Sequence, residues 1–258
     1  MIKKVIDKLM FKSYHFLSEE NLINKIFNKK GIIVLMYHSI TKQKSFYPYA
    51  INEKTFQQQM DFLSQYCDVI SIDEMYNILL DNKDFRYKRP KTVITFDDGY
   101  RNNYSIAYPV LKKFNLPFTI FLTTDFIEKE NKSFMSWEDI KKLQGEYEKV
   151  NFGSHSVNHF NLTSLENEDK YKEIVDSKKI IEDKIGKNVD YFAYPSGGYD
   201  KYCLKIVEEN YKLGFKDRMN VNNSLKAAIG RVSIDKRHID FKSFLIELAF
   251  NNFILGDK

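Results

Sequence analysis

The sequence predicts an α/β protein built as an irregular (β/α) barrel, and three observations carry that expectation. Strand-like and helix-like segments alternate along all 258 residues, the pattern of a parallel sheet wrapped by helices. No Gly-x-Gly-x-x-Gly or phosphate-cradling loop is present, which weighs against an open, doubly wound nucleotide-binding sheet. Polar clusters also follow strands directly at four places: His38 after 32–37, Asp97-Asp98 after 92–96, His155 after 150–153, and Pro195-Ser196-Gly197-Gly198 after 189–194. In a parallel barrel every strand C-terminus lies on one face, and that face holds the active site.

The elements follow in order. Ile32 to Tyr37 is an apolar run suited to a buried strand. Glu53 to Tyr66 reads as a helix with Phe56, Met60 and Leu63 on one face, and a short strand at Val69-Ile70 leads to a helix from Asp73 to Leu80 capped by Ser71 or Asp73. The basic stretch 88–91 is a loop. Strand 92–96, helix 103–114, a turn at Pro117 and strand 118–123 come next, then a loop over 125–135. Ser136 and Asp139 are placed as a reciprocal helix cap. A strand at 150–153, a charged helix over 166–185 ending at Gly186, strand 189–194, helix 200–211, a strand near 229–234 and a helix over 241–253 complete the chain.

Composition bounds the function. Hydrophobic residues make up 43%, with 21 Phe and 17 Tyr, and the net charge is only +5. Lysines are interspersed with acids, which argues against nucleic acid as a partner. Cys67 and Cys203 have no metal-type spacing and read as free thiols. No apolar run approaches the roughly 18–20 residues of a spanning helix, and lysines interrupt any secretory-type centre near the start, so the sequence points to the cytoplasm or the cytoplasmic face of the membrane. Residues 1–30 form an amphipathic helical segment before a single domain over 31–258. Ile2, Val5, Ile6, Leu9 and Met10 share one helical face, which either packs on the domain or makes a peripheral membrane contact through residues 1–17.

Two adjacent carboxylates at a strand end repel each other unless a cation, a proton or hydrogen bonds hold them. Five histidines exist in the chain, and His155 and His159 stand four apart; on a helical turn that spacing puts both rings on one side, able to grip an ion. One carboxylate with two imidazoles suits a divalent ion and leaves positions open. The other carboxylate would stand close enough to take a proton from the attacking water. The chemistry implied is metal-assisted hydrolysis of an amide or ester.

These residues resemble the polysaccharide deacetylases (carbohydrate esterase family four, the NodB-homology domain). Thr95-Phe96-Asp97-Asp98-Gly99 is similar to the family's first motif, His155-Ser156-Val157-Asn158-His159 to its second and Phe192-Ala193-Tyr194-Pro195-Ser196-Gly197 to its third, over roughly residues 32–253. The resemblance implies a barrel of that type that removes N-acetyl groups from GlcNAc-type sugars of a glycan, oligosaccharide or lipid-linked precursor. It implies Asp97 as general base, Asp98, His155 and His159 as metal ligands, the backbone N–H of Ser196 beside Pro195 as an oxyanion donor, and Zn2+ as cofactor, with Co2+, Ni2+ or Mn2+ able to use the same set. Tyr100 and Arg101 adjoin the aspartates and would line the groove; Trp137 would either floor a sugar site or serve the core.

Two departures stand out. The third motif usually carries an arginine two residues before its proline, where this chain has Ala193; Arg231 is either its replacement or a structural residue. The late Leu-x-His motif that supplies the general acid is absent, and His238 falls in a loop. The stretch Leu35-Met36-Tyr37-His38-Ser39-Ile40 is similar to a subset with a shifted motif order, which implies His38 as the acid; the bland alternative is a histidine bonded at a strand end. The departures leave two other readings, a non-catalytic carbohydrate-binding member of the fold and an O-acetyl esterase.

Overall fold

The structure is a computed structural model that describes residues 17–29, 31–43, 45–81, 88–217, 226–238 and 240–250. The amphipathic segment 1–16 lies outside the described residues, as does 251–253 of the last expected helix. Seven strands close a barrel: β1 (Ile32–Tyr37), β5 (Lys91–Phe96), β6 (Phe118–Leu122), β7 (Val150–Ser154), β8 (Tyr191–Ala193), β9 (Leu213–Asp217) and β10 (Ile229–Ser233). Every pairing is parallel. β1 closes the ring, lying in register with β5 from Ile32↔Lys91 to Tyr37↔Phe96 on one side and with β10 at Leu35↔Val232 on the other.

The closure is uneven at β5. Its free edge is shared, with β4 (Asp68–Val69) paired at Lys91 and Thr92 and β6 paired only at Thr95 and Phe96. A small parallel pair, β2 (Ser39–Thr41) with β3 (Ala50–Asn52), sits beside the top of β1.

Alternation along the strands sorts the core into two layers, because successive side chains point to opposite faces. Val34, Val93, Phe121, Phe215 and Ile229 fill the barrel interior. The opposite residues, such as Ile33, Leu35, Ile94 and Phe192, pack outward against the helices. The helix Ile72–Asp81 belongs to the interior cluster through Ile72 and Met75 and plugs the N-terminal end of the barrel. Ser71 caps that helix by accepting from the Glu74 N–H, and Asp73 ties it down by accepting from Asn151 Nδ2 and the Tyr191 hydroxyl. The open end is therefore the C-terminal one.

Among the helices, Glu53–Tyr66 and Trp137–Glu146 form where expected, the latter with a complete capping box of Ser136 and Asp139. Gly186 ends the 177–185 helix at φ 67°, the left-handed conformation that glycine adopts without strain. The helix Glu19–Phe27 buries Leu22 and Ile26 in the outer layer beside the helix Phe241–Phe250. Residues 125–135 are not all loop, since Thr124–Glu128 is a short helix; His238 ends a 3-10 turn, Lys236–His238, rather than lying in a loop; and β9 is a strand beyond those expected from the sequence. Cys67 and Cys203 are free and buried. Among the described residues, no helix is long and apolar enough to cross a membrane.

Gly153 is required by the interior packing. A Cβ there would lie 2.5 Å from the Phe121 ring and 2.9 Å from the Tyr191 carbonyl oxygen, one of them backbone. Overpacking of this kind costs about 1–3 kcal/mol. Gly153→Ala should therefore lower stability by about that amount in urea denaturation; an unchanged midpoint would contradict this packing.

Candidate active site at the open end of the barrel

The same alternation that fills the interior aims the polar residues. Asp97 continues the inward register of Val93 and Thr95, His155 that of Gly153, and Arg231 stands one pleat above Ile229. Asp97 and Asp98 diverge at the end of β5 because Asp98 turns into the left-handed region at φ 71°, followed by Gly99 at φ 78°. The two carboxylates thus meet different neighbours.

Asp97 is 2% exposed and Arg231 wholly buried. Arg231 Nη1 donates to Asp97 Oδ1 and Nη2 to Oδ2, both at 2.7 Å, a two-pronged pair that matches the guanidinium fork. Nη1 also reaches Thr95 Oγ1 at 3.2 Å, and the guanidinium lies 5.3 Å above the Phe121 ring. Burial works to raise the Asp97 carboxyl, but the Arg231 charge, with His155 and the hydrogen bonds, overcomes it and holds Asp97 well below the usual carboxylate range.

Asp98 faces the histidines. Its Oδ1 lies 3.5 Å from His155 Nε2 and 3.2 Å from His159 Nε2, yet this buried oxygen has no hydrogen-bond partner among the described residues. His155 Nδ1 is 2.8 Å from the Ala193 carbonyl oxygen. A carbonyl can only accept, so the ring proton is assigned to Nδ1 and Nε2 turns a lone pair toward Asp98. Burial pushes His155 down to about 4, against the pull of Asp97 and Asp98, so the ring is neutral at pH 7. Burial also works to lower His159, but Asp98 outweighs it and the net shift is upward.

A neutral imidazole lone pair aimed at a carboxylate needs a cation between them. Metal bonds of about 2.0–2.1 Å at tetrahedral angles separate neighbouring ligand atoms by about 3.3 Å, close to the two Asp98–histidine distances. Asp98, His155 and His159 offer ligand atoms all within 4.8 Å of one another. The donor set fits a divalent ion of the zinc type.

The histidine loop differs from its expected form. Residues 155–159 are not helical; Ser156 and His159 adopt φ 66° and 61°, and the rings converge edge to face at 4.9 Å because of the loop rather than a helical repeat. Among the described residues, four of the six non-glycine residues at positive φ are Asp98, Ser156, His159 and Ser196. Each such conformation costs on the order of 1–3 kcal/mol and persists only where surrounding structure fixes it.

The remaining expected residues arrive at the same rim. His38 follows β1, its ring 4.6 Å from Tyr49 and its backbone carbonyl accepting from Asn103 Nδ2 at 2.6 Å. Its Nδ1 is buried with no hydrogen-bond partner among the described residues. Tyr100 stacks on Phe134, and burial, aided by the Asp98 charge, raises its hydroxyl. Pro195 and Ser196 form a tight turn, Ser196 at φ 55°, in which the Gly197 and Gly198 N–H groups bond the Tyr194 and Pro195 carbonyls. His238 is engaged away from this cluster: Nδ1 accepts from the Asp235 N–H and Nε2 donates to Glu247. Trp137 belongs to the helix layer, donating to Glu128 beneath the Lys184 ammonium.

Asp217 is the residue missed. It ends β9, with Oδ1 3.7 Å from Arg231 Nη2; burial raises its carboxyl, Arg231 opposes the rise and Asp97 adds to it. The signal was available, since Leu213-Gly214-Phe215-Lys216-Asp217 alternates and ends in an acid, the same strand-end placement as the other clusters.

The polysaccharide deacetylase sequence profile matches residues 86–214. The chain belongs to the polysaccharide deacetylase family. It is similar to YxkH of Bacillus subtilis (strain 168), 30% identical over 182 residues, which are 70% of this chain and 62% of that protein; the chain thus spans less than two thirds of YxkH. It is 25% identical over 218 residues to the poly-beta-1,6-N-acetyl-D-glucosamine N-deacetylase of Staphylococcus epidermidis, covering 75% of this chain and 74% of that one. The solved structure of the Streptococcus pyogenes deacetylase PplD in complex with acetate superposes with TM-score 0.75 at 26% identity, over 86% of this chain and 99% of PplD.

Removing the guanidinium leaves Asp97 buried and uncompensated, which costs about 3–5 kcal/mol. The sign with pH follows from linkage. Asp97 is depressed in the folded wild type, so its contribution is present above the unfolded carboxylate pKa and is lost only in strong acid. In Arg231→Met, burial dominates, the Asp97 pKa rises, and protonation relieves the unpaired charge. The stability deficit of metal-free Arg231→Met should be largest at pH 7.5 and should shrink by pH 5 in urea melts. A deficit constant across that range would contradict the pairing.

Proposed function

We propose that the chain is a metal-dependent hydrolase that removes N-acetyl groups from GlcNAc-type sugars of a glycan. The observation that carries this reading is the unequal treatment of adjacent carboxylates: Asp98 lies with His155 and His159 around one small volume, while Asp97 is tied to Arg231. The printed name of the Staphylococcus epidermidis relative supports the sugar.

Asp98, His155 and His159 would hold the ion, which when bound polarises the acetamide carbonyl and acidifies water. Asp97 remains ionised at neutral pH, and each of its oxygens keeps a lone pair beyond the Arg231 bond. Asp97 is the group placed to accept a proton from the attacking water. His38, with an unengaged buried ring nitrogen, is the group that protonates the leaving amine. The Ser196 N–H would donate to the developing oxyanion beside Pro195, and Tyr100 would line the groove.

The non-catalytic reading draws on two departures, the arginine missing at Ala193 and the absent late histidine motif. A guanidinium delivered to Asp97 from β10 speaks against the first, and the second rests on His38 serving as the acid. Nothing in the site favours O-acetyl esters over N-acetyl groups.

Acetate release from N-acetylglucosamine oligomers tests the proposal. Asp97→Asn should lose about a hundred- to ten-thousandfold in kcat while still binding the ion, and Asp98→Asn should lose both. His38→Ala should lower kcat with metal binding intact; near-wild-type turnover would remove His38 from the reaction. EDTA should abolish release and added Zn2+ or Co2+ restore it. Release that persists after full chelation would contradict metal dependence, and acetate from O-acetylated sugars alone would replace the amidase reading with the esterase.

A further inference from the structure

The helix after the histidine loop, residues 167–185, runs outside the barrel and widens into a π-helical turn at Lys172–Asp176. Such turns insert a residue into the helical ladder and recur at functional sites. Glu173 lies in this one, 4% exposed. Its carboxylate receives three N–H donors from the loop. Oε2 accepts from the backbone N–H groups of Val157 at 3.0 Å and Asn158 at 2.9 Å, and Oε1 from Asn158 Nδ2 at 2.6 Å. One turn further on, Ser177 Oγ lies 2.6 Å from Ser154 Oγ, which accepts from the Ser156 N–H. One helix therefore grips the loop at its root and at its middle, between the two histidines.

The loop needs an external grip. It has no helical ladder to fix the spacing of its two rings, and Ser156 and His159 both stand in the left-handed region. A carboxylate matches the task because all three partners are N–H groups and the hydrogen bonds are charge-assisted. No other described role engages Glu173, which is on the outer side of the barrel wall from Asp97.

We propose that Glu173 is a positioning residue for the metal-binding histidines, closing the 155–159 loop so that both Nε2 atoms face Asp98 before an ion arrives. It touches neither substrate nor the reacting atoms. The inference rests on Asp98, His155 and His159 being the metal site.

Zn2+ and Co2+ titrations of the full chain test it, read as affinity and as the visible absorption of the Co2+-loaded protein, with the melting temperature of the metal-free form measured in parallel. Glu173→Ala should weaken affinity about ten- to a hundredfold and shift the cobalt spectrum. Glu173→Gln should recover most of the affinity, because its carbonyl still accepts from the two backbone N–H groups and Asn158 can turn its amide to meet the new NH2. A folded Glu173→Ala with wild-type affinity and spectrum would overturn the proposal, whatever its melting temperature. If Glu173→Ala does not fold, Asn158→Ala decides, since it removes one donor and leaves the helix untouched: a several-fold weaker affinity with an altered spectrum supports the role, and wild-type values for both overturn it. Wild type binding neither ion would overturn the metal reading along with this inference, whereas equal binding by wild type and Glu173→Ala would overturn the inference alone.

Discussion

The buried pair between Arg231 and Asp97 is the constraint on which the site depends. A guanidinium in the interior of a barrel otherwise filled by Phe121, Val93 and Ile229 has to be neutralised, and Asp97 does so through both oxygens at 2.7 Å. Pairing of this kind is weak evidence for stability, since desolvation offsets much of the attraction. Its consequence lies elsewhere. Asp97 is tied through both oxygens to Arg231 and reaches only His155 Nε2, at 3.9 Å, whereas Asp98 Oδ1 lies 3.5 Å from His155 Nε2 and 3.2 Å from His159 Nε2, so two neighbouring carboxylates acquire different chemistry.

The scaffold divides labour in the same way. Register along seven parallel strands aims Asp97, His155 and Arg231 inward without further help, and the helix 72–81 seals the opposite end. The loops do the rest at a cost in strain, with Asp98, Ser156, His159 and Ser196 all held in left-handed conformations. The histidine loop is held partly from within, by the His159 N–H on Ser156 Oγ, and partly from elements around it: the Ala193 carbonyl on His155, the Ser154–Ser177 contact, and the Glu173 carboxylate between the histidines. Preorganised groups of this kind supply much of an enzyme's electrostatic stabilisation.

Much of this was legible in the sequence, for identifiable reasons. Strands such as 32–37 are buried on both faces and read as continuous apolar runs, and caps such as Ser136 with Asp139 carry their own signature. Placing Asp97-Asp98 and His155 at strand ends was enough to bring them to one rim. The rest failed where a long-range partner decides the outcome. β9 alternates and ends in an acid, but with Gly214 and Lys216 it offers no continuous apolar run like that of 32–37; Gly214 is needed because a Cβ would lie 2.3 Å from the Ala227 carbonyl oxygen. The four-residue spacing of the histidines fits a helical turn, whereas the loop takes another form, hydrogen-bonded to Glu173, fifteen residues from Asn158. Whether Arg231 met Asp97 was open for the same reason: residues 134 apart meet only through barrel closure.

On the proposed function, one of two adjacent carboxylates binds the ion and the other is kept out of it. A crystal structure of the Zn2+-loaded chain, with the ion located by anomalous scattering at the zinc edge, would show which. The expected result is a single ion bonded to Asp98, His155 Nε2 and His159 Nε2, with Asp97 outside its coordination and still paired to Arg231. An ion chelated by both aspartates, or bound away from the two histidines, would contradict it.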